Sequence, residues 1–112
     1  MINYNNKRFK PIVNTDNGET SSETVFEYSQ SGRVLTASYH GGPIVEGHLI
    51  GKVSDKGEIT MHYHQINEQG EINAGICHSR PEILESGKIR LHESWQWLTG
   101  DRSKGQSVIE EL

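Results

Sequence analysis

His62-Tyr63-His64 sets two imidazoles two residues apart, and on an extended chain both fall on the same side. If neighbouring strands bring His48 opposite His64 and leave His78 diagonal to His62, the side chains approach to roughly 5 Å, close enough for three or four nitrogens to share a metal ion. A ligating imidazole needs a partner on its second nitrogen. Glu46 is the one outward carboxylate in range. The pairing that assembles the cluster also turns it away from the apolar face, so the plainer reading is a solvated surface and no metal is assigned. His40 and His92 lie farther off and carry no functional reading.

The second chemical feature is Glu93, which lies in phase with Leu91, Trp95 and Trp97 on an otherwise apolar face. Burying an unpaired carboxylate is costly, so an inward Glu93 requires a donor or water. Pairing segments 71–79 and 88–98 so that Ser79 faces Ile89 puts Gly75 between Tyr63 and Glu93. The next row then holds Gln65, Asn73 and Trp95. Polar groups between aromatic walls line small-ligand sites. Tyr63, Gln65, Asn73, Glu93 and Trp95 are therefore the candidate ligand-binding residues, and Glu93 is the candidate acid or base should the protein be an enzyme. The alternatives are a β-bulge after Leu91 that turns Glu93 outward, or a purely structural acceptor. Trp95 and Trp97 read first as core and only second as a ligand platform. Cys77 reads as a packing residue, since no inward cation is at hand to lower its pKa.

What could position these residues is a set of short strands. Glycine-terminated polar clusters recur at Asp16-Asn17-Gly18, Ser31-Gly32, His40-Gly41-Gly42, Asp55-Lys56-Gly57, Glu68-Gln69-Gly70, Glu85-Ser86-Gly87 and Ser103-Lys104-Gly105. Such clusters close hairpins, and the runs between them are rich in residues that suit a pleated sheet. Strands are expected near 8–14, 22–30, 33–40, 44–53, 58–67, 71–79, 88–98 and 106–111, with prolines at or near strand ends and Arg80–Ser86 the best place for a helical turn. A two-residue turn at Ser31-Gly32 sets Tyr28 opposite Leu35 and Phe26 opposite Ala37. Three-residue turns at 55–57 and 68–70 set Leu49 opposite Tyr63, Tyr63 opposite Gly75 and Met61 opposite Cys77. The inner face then includes Phe26, Tyr28, Leu35, Ala37, Tyr39, Val45, Leu49, Ile59, Met61, Tyr63 and Gln65. In the sixth strand Ile72, Ala74 and Ile76 compete with Asn73, Gly75, Cys77 and Ser79 for the interior, and turn length favours the second set.

Eight such strands leave two raw edges in an open sheet, and closure removes both. The expected fold is all-β, an antiparallel up-and-down barrel, with a β-sandwich as the alternative. At 112 residues the chain suits one domain. Apolar residues are 32% and the formal charge is −4, with no basic cluster, which argues against nucleic acid or an anionic membrane as partner. A small molecule or a protein remains open, and no motif requires a cofactor. The single cysteine forbids an internal disulfide. With no apolar run near the ~18 residues a spanning helix needs, the cytoplasm is the expected location.

In architecture the chain resembles the calycin-type barrels, the lipocalin, fatty-acid-binding and avidin-like proteins. Phe9-Lys10-Pro11-Ile12-Val13 stands where lipocalins open with Gly-x-Trp, whereas Trp95-Gln96-Trp97-Leu98-Thr99-Gly100 is similar to the penultimate strand and loop of avidins. No avidin ligand residue is carried over on that likeness. Gly47-His48-Leu49-Ile50-Gly51 and Lys88-Ile89-Arg90-Leu91-His92-Glu93 resemble segments of bacterial proteins of similar length described as N-acetylglutamate synthases. That resemblance implies acetyl transfer from acetyl-CoA. Common acetyltransferases bind the pyrophosphate on a [Gln/Arg]-x-x-Gly-x-[Gly/Ala] loop and the helix after it. Arg102 to Ser107 nearly matches, but ends in Ser and leaves only Val108–Leu112 for the helix. The expected function is a barrel binding a small ligand. The alternatives are an enzyme with Glu93 as acid or base, and a filled barrel serving protein interaction.

Overall fold

The computed structural model describes residues 2–112. Eight strands follow one another: β1 (Lys7–Asn14), β2 (Val25–Ser31), β3 (Val34–Gly41), β4 (Ile44–Val53), β5 (Ile59–Asn67), β6 (Ile72–Ile83), β7 (Ile89–Trp97) and β8 (Lys104–Glu111). Each pairs antiparallel with the next, and β1 closes on β8. The sheet is thus a closed up-and-down barrel and the sandwich alternative falls away.

Alternation supplies the core. Phe9, Phe26, Tyr28, Leu35, Tyr39, Leu49, Ile59, Met61, Leu91, Trp95, Trp97 and Ile109 all point inward and are buried. The sixth strand turns Gly75, Cys77 and Ser79 inward and leaves Ile72 at 70% exposure, as turn length required. One end of the barrel is filled by Tyr4, fully buried against Phe9 and Tyr28 with its hydroxyl donating to the Gly57 carbonyl. The long β1–β2 loop, residues 15–24, lies over the other end.

Three pairings differ from the sequence expectation. Ser31 pairs with Val34, so Tyr28 faces Ala37 and Phe26 faces Tyr39. The turn residues are Gly32-Arg33, with Gly32 at φ 61°, the first central position where a type II′ turn places glycine. The sixth strand does not end in a helical turn at Arg80; it runs on to Ile83, and Ser79 faces Glu93 rather than Ile89. At β4 the register shifts between Ile44 and Glu46, which buries Ile44 and leaves Val45 58% exposed instead of inside.

Pro11 and Pro81 lie within strands rather than at their ends. Each sits where its strand has only one neighbour, since the β1–β2 register stops at Phe9 and the β5–β6 register at Ser79. A missing donor does no harm at such an edge.

Candidate functional site

Inside the barrel is a cavity of about 60 Å³, opening beneath the β1–β2 loop. Its depth follows β7, whose inward residues run from Leu91 through Glu93 and Trp95 to Trp97 at the mouth.

The deep end is built by one row of the sheet. Ser79, Glu93 and Ser107 are paired neighbours on β6, β7 and β8, all facing inward, so both hydroxyls reach the same carboxylate. Ser79 Oγ donates to Glu93 Oε2 at 2.8 Å and Ser107 Oγ donates to Oε1 at 3.1 Å. Burial raises the Glu93 pKa above the ordinary carboxylate value, against the hydrogen bonds from Ser79, Ser107 and Cys77, which lower it. Burial likewise pushes the Cys77 thiol up, and the charge of Glu93 adds to the shift. A thiol held protonated is no nucleophile.

Tyr28 completes this end. It is 2% exposed, lines the same cavity, and its hydroxyl has no hydrogen-bond partner among the described residues. Burial first, and the Glu93 charge second, raise its pKa well above the ordinary phenol value, so it stays a neutral donor. A buried hydroxyl without a partner is uncommon, because leaving a polar group unpaired costs about 1–3 kcal/mol.

The wall is aromatic. Trp95 and Trp97 meet edge to face at 5.6 Å between ring centres, and Tyr63 meets Trp97 at the same distance. Gly75 makes this possible. It lies in register between Tyr63 and Trp97, and a Cβ there would run into the Tyr63 ring and come within 2.6 Å of the Gln96 carbonyl oxygen. Glycine at Gly75 therefore makes room for Tyr63 beside Trp97, not for Tyr63 beside Glu93.

At the mouth Tyr39 Oη donates to Gln65 Oε1 at 2.7 Å, and Gln65 Nε2 donates to Glu19 Oε1 at 2.8 Å. Asn73 is Gln65's partner in the sheet but does not line the cavity; it reaches the site through Glu19, donating to Oε1 at 3.2 Å. Of the five residues picked from sequence, Tyr63, Gln65, Glu93 and Trp95 line one cavity at different depths, and Asn73 stands behind the mouth. The expected row of Gln65, Asn73 and Trp95 is broken, because Trp95 pairs with Cys77.

Ser79, Ser107 and Tyr39, whose hydroxyls bond to Glu93 and Gln65, escaped the sequence reading as site members, as did Tyr28 and Glu19. Tyr28 was on the inner face, but nothing in a sequence marks a hydroxyl as unpartnered. Glu19 lies in a loop without periodicity.

Outside the barrel, His48 stands opposite His64 with ring centres 5.9 Å apart, and His78 lies diagonal to His62. The carboxylates take these rings singly: Glu46 holds His48 at 2.7 Å and Glu58 holds His78 at 2.9 Å. Among the described residues no three His, Cys, Asp or Glu side chains converge as a metal ion would need.

Residues 2–112 match the family model for avidin-like proteins. The chain belongs to the avidin-like family. No curated protein and no solved structure matches it. Membership agrees with the closed eight-strand barrel and with the tryptophan-rich penultimate strand β7, and it makes this chain a small-ligand-binding barrel. In this avidin-like barrel the tryptophans of β7 form the cavity wall, and Leu98 to Gly100 lead into the β7–β8 loop, whose Ser103 hydroxyl accepts from Asn17 of the 15–24 loop.

Proposed function

We propose that the cavity binds one small ligand whose uncharged head offers a carbonyl oxygen and an N–H group side by side, as an amide or a urea does. The observation that carries this reading is the unpartnered Tyr28 hydroxyl in the same cavity as the Glu93 carboxylate. Tyr28 would donate to the ligand oxygen, and Glu93 would accept from the ligand nitrogen with the lone pairs that Ser79 and Ser107 leave free. Trp95, Trp97 and Tyr63 would hold the apolar part, and Gln65 and Asn73 would meet whatever projects at the mouth. A cavity of about 60 Å³ is smaller than the roughly 150 Å³ cavity that takes up benzene, so a ring-sized ligand such as a cyclic urea requires the 15–24 loop or the aromatic wall to give way on binding.

An avidin-like barrel makes biotin, which carries a cyclic urea, the first full-sized ligand to try, with urea and 2-imidazolidinone as its fragments. Calorimetric titration of all three should give binding by at least one, weakened about tenfold in Tyr28→Phe, the loss of roughly one hydrogen bond between neutral groups. If none of the three binds, or if Tyr28→Phe binds as tightly as the intact protein, the reading fails.

For acetyl transfer the chain offers no support at the loop that would carry it. Residues Lys104–Glu111 are strand β8, so Gly105 opens no helix N-terminus to a pyrophosphate. Purified protein should not turn over acetyl-CoA with glutamate, and turnover in that assay would reinstate the activity.

A further inference from the structure

Two sulfur-bearing side chains meet in the cavity wall. Met61 and Cys77 are direct partners in the β5–β6 register, both are buried, and both line the cavity. Opposed residues of an antiparallel pair carry Cβ atoms about 4.5–5.5 Å apart, so the thioether and the thiol can reach a common point. On the other side of Met61 its β4 partner is Gly51, where a Cβ would come within 2.8 Å of the Met61 Cβ. The glycine leaves the methionine its place.

Three further observations bear on the pair. The Glu93 carboxylate accepts from the Cys77 thiol, so a base already holds the thiol proton. The buried, unpartnered Tyr28 hydroxyl lies close enough to feel the charges of Glu93 and Cys77, and it marks the same place for a ligand. A cavity of about 60 Å³ has room for a single ion without any movement of the loop. Thiolate and thioether sulfur select soft cations such as Cu(I), whereas zinc takes four ligands from Cys, His, Asp or Glu. Among the described residues no three such side chains converge. Burial opposes binding by holding the Cys77 thiol protonated, and a cation overcomes this because a coordinating thiol gives up its proton outright.

We propose that Cys77 and Met61 form a binding site for one soft monovalent cation of the Cu(I) class, with Glu93 taking up the thiol proton that the cation replaces. The sulfur–metal bond forms as the S–H bond breaks, and the metal keeps its oxidation state. A cation and a carboxylate become a neutral metal thiolate and a neutral carboxylic acid, so no net charge is left in the barrel. The Tyr28 hydroxyl would donate to the sulfur, a stronger acceptor once its proton has gone.

The probe is silver(I) nitrate, a redox-inert soft cation, added to the intact chain in chloride-free imidazole buffer, where free imidazole competes with the exposed histidines. Native mass spectrometry should find one silver per chain. Tm should rise by about 10 °C at free silver a hundredfold above Kd, because the cation binds the folded barrel. Cys77→Ser should lose both responses, with Cys77→Ala taking its place should the serine variant not fold. Met61→Leu conserves volume and should fold, yet bind silver at least tenfold more weakly. Zinc nitrate should give neither the mass nor the shift. The proposal is overturned if no silver is bound, if the Cys77 variant keeps it, or if Met61→Leu binds as tightly as the parent. Silver that lowers Tm would overturn it too, since the thiol would then be reached by unfolding.

Discussion

Gly75→Ala tests the aromatic wall by adding a single carbon. The new Cβ would sit within 2.6 Å of the Gln96 carbonyl oxygen and collide with the hydroxyl end of the Tyr63 ring. The backbone carbonyl belongs to the ladder and cannot give way, so Tyr63 must leave. Its departure loses an edge-to-face contact with Trp97, worth about 0.5–1.5 kcal/mol beyond buried area. Overpacking adds about 1–3 kcal/mol. Taking about 2 kcal/mol as the total, and roughly 4 °C per kcal/mol for a chain of this length, Tm should fall by about 8 °C. Ser94→Ala, on the outward side of β7, should stay within about 0.5 kcal/mol of the parent. Differential scanning calorimetry gives both numbers, and near-ultraviolet circular dichroism reports the tryptophan environment. A Gly75→Ala protein that melts within about 2 °C of the parent with its near-ultraviolet spectrum intact would refute the packing argument.

Because burial raises the Glu93 pKa in the folded state, folding favours its protonated form, so its contribution to stability is greatest below the ordinary carboxylate pKa and declines as pH rises through the raised value. Glu93→Gln should therefore gain on the parent in Tm between mildly acidic and neutral pH; a parent that gains on the variant over that range would reverse the sign. Glu93→Leu should not gain as much, because it leaves the Ser79 and Ser107 hydroxyls without their acceptor. Trp97 Nε1 donates to the Asn17 carbonyl at 2.9 Å, so Trp97→Phe should speed hydrogen exchange in the 15–24 loop while β4 and β5 stay protected, and unchanged exchange would show that the indole does not hold the loop. For the outer histidines, elemental analysis of untagged protein should find no stoichiometric zinc, and one zinc per chain that is lost in His62→Ala and His64→Ala would establish the metal site.

The fold was legible wherever turn length and alternation agreed. Asp55-Lys56-Gly57 and Glu68-Gln69-Gly70 each close a three-residue turn, with Ser54 bonding across to Glu58 and Asn67 to Glu71, and the pairings from Leu49–Tyr63 to Met61–Cys77 follow from them. Glu85-Ser86-Gly87 closes the same turn, with Leu84 bonding to Lys88. Applied there, the same rule sets Ser79 opposite Glu93; Pro81 obscured it by suggesting that the strand had ended. Faces survived the slips at β2–β3 and β6–β7 because each was by an even number of residues, whereas the one-residue shift at the start of β4 turned Ile44 inward in place of Val45. Glu93 was therefore inward as expected, with its donors on different strands from the one first assigned.

The mouth was not legible, because Glu19 and the 15–24 loop follow no period. The Tyr28 hydroxyl was not legible either, since a missing partner becomes visible only once every neighbour has been placed.

The most direct test of the ligand-binding account is a crystal structure of the protein with 2-imidazolidinone bound. The account predicts the ring inside the barrel against Trp95 and Trp97, its oxygen about 3 Å from Tyr28 Oη and a ring nitrogen about 3 Å from a Glu93 carboxylate oxygen. A urea bound only on the outer surface, or one inside the barrel with Tyr28 Oη still unpartnered, would contradict it.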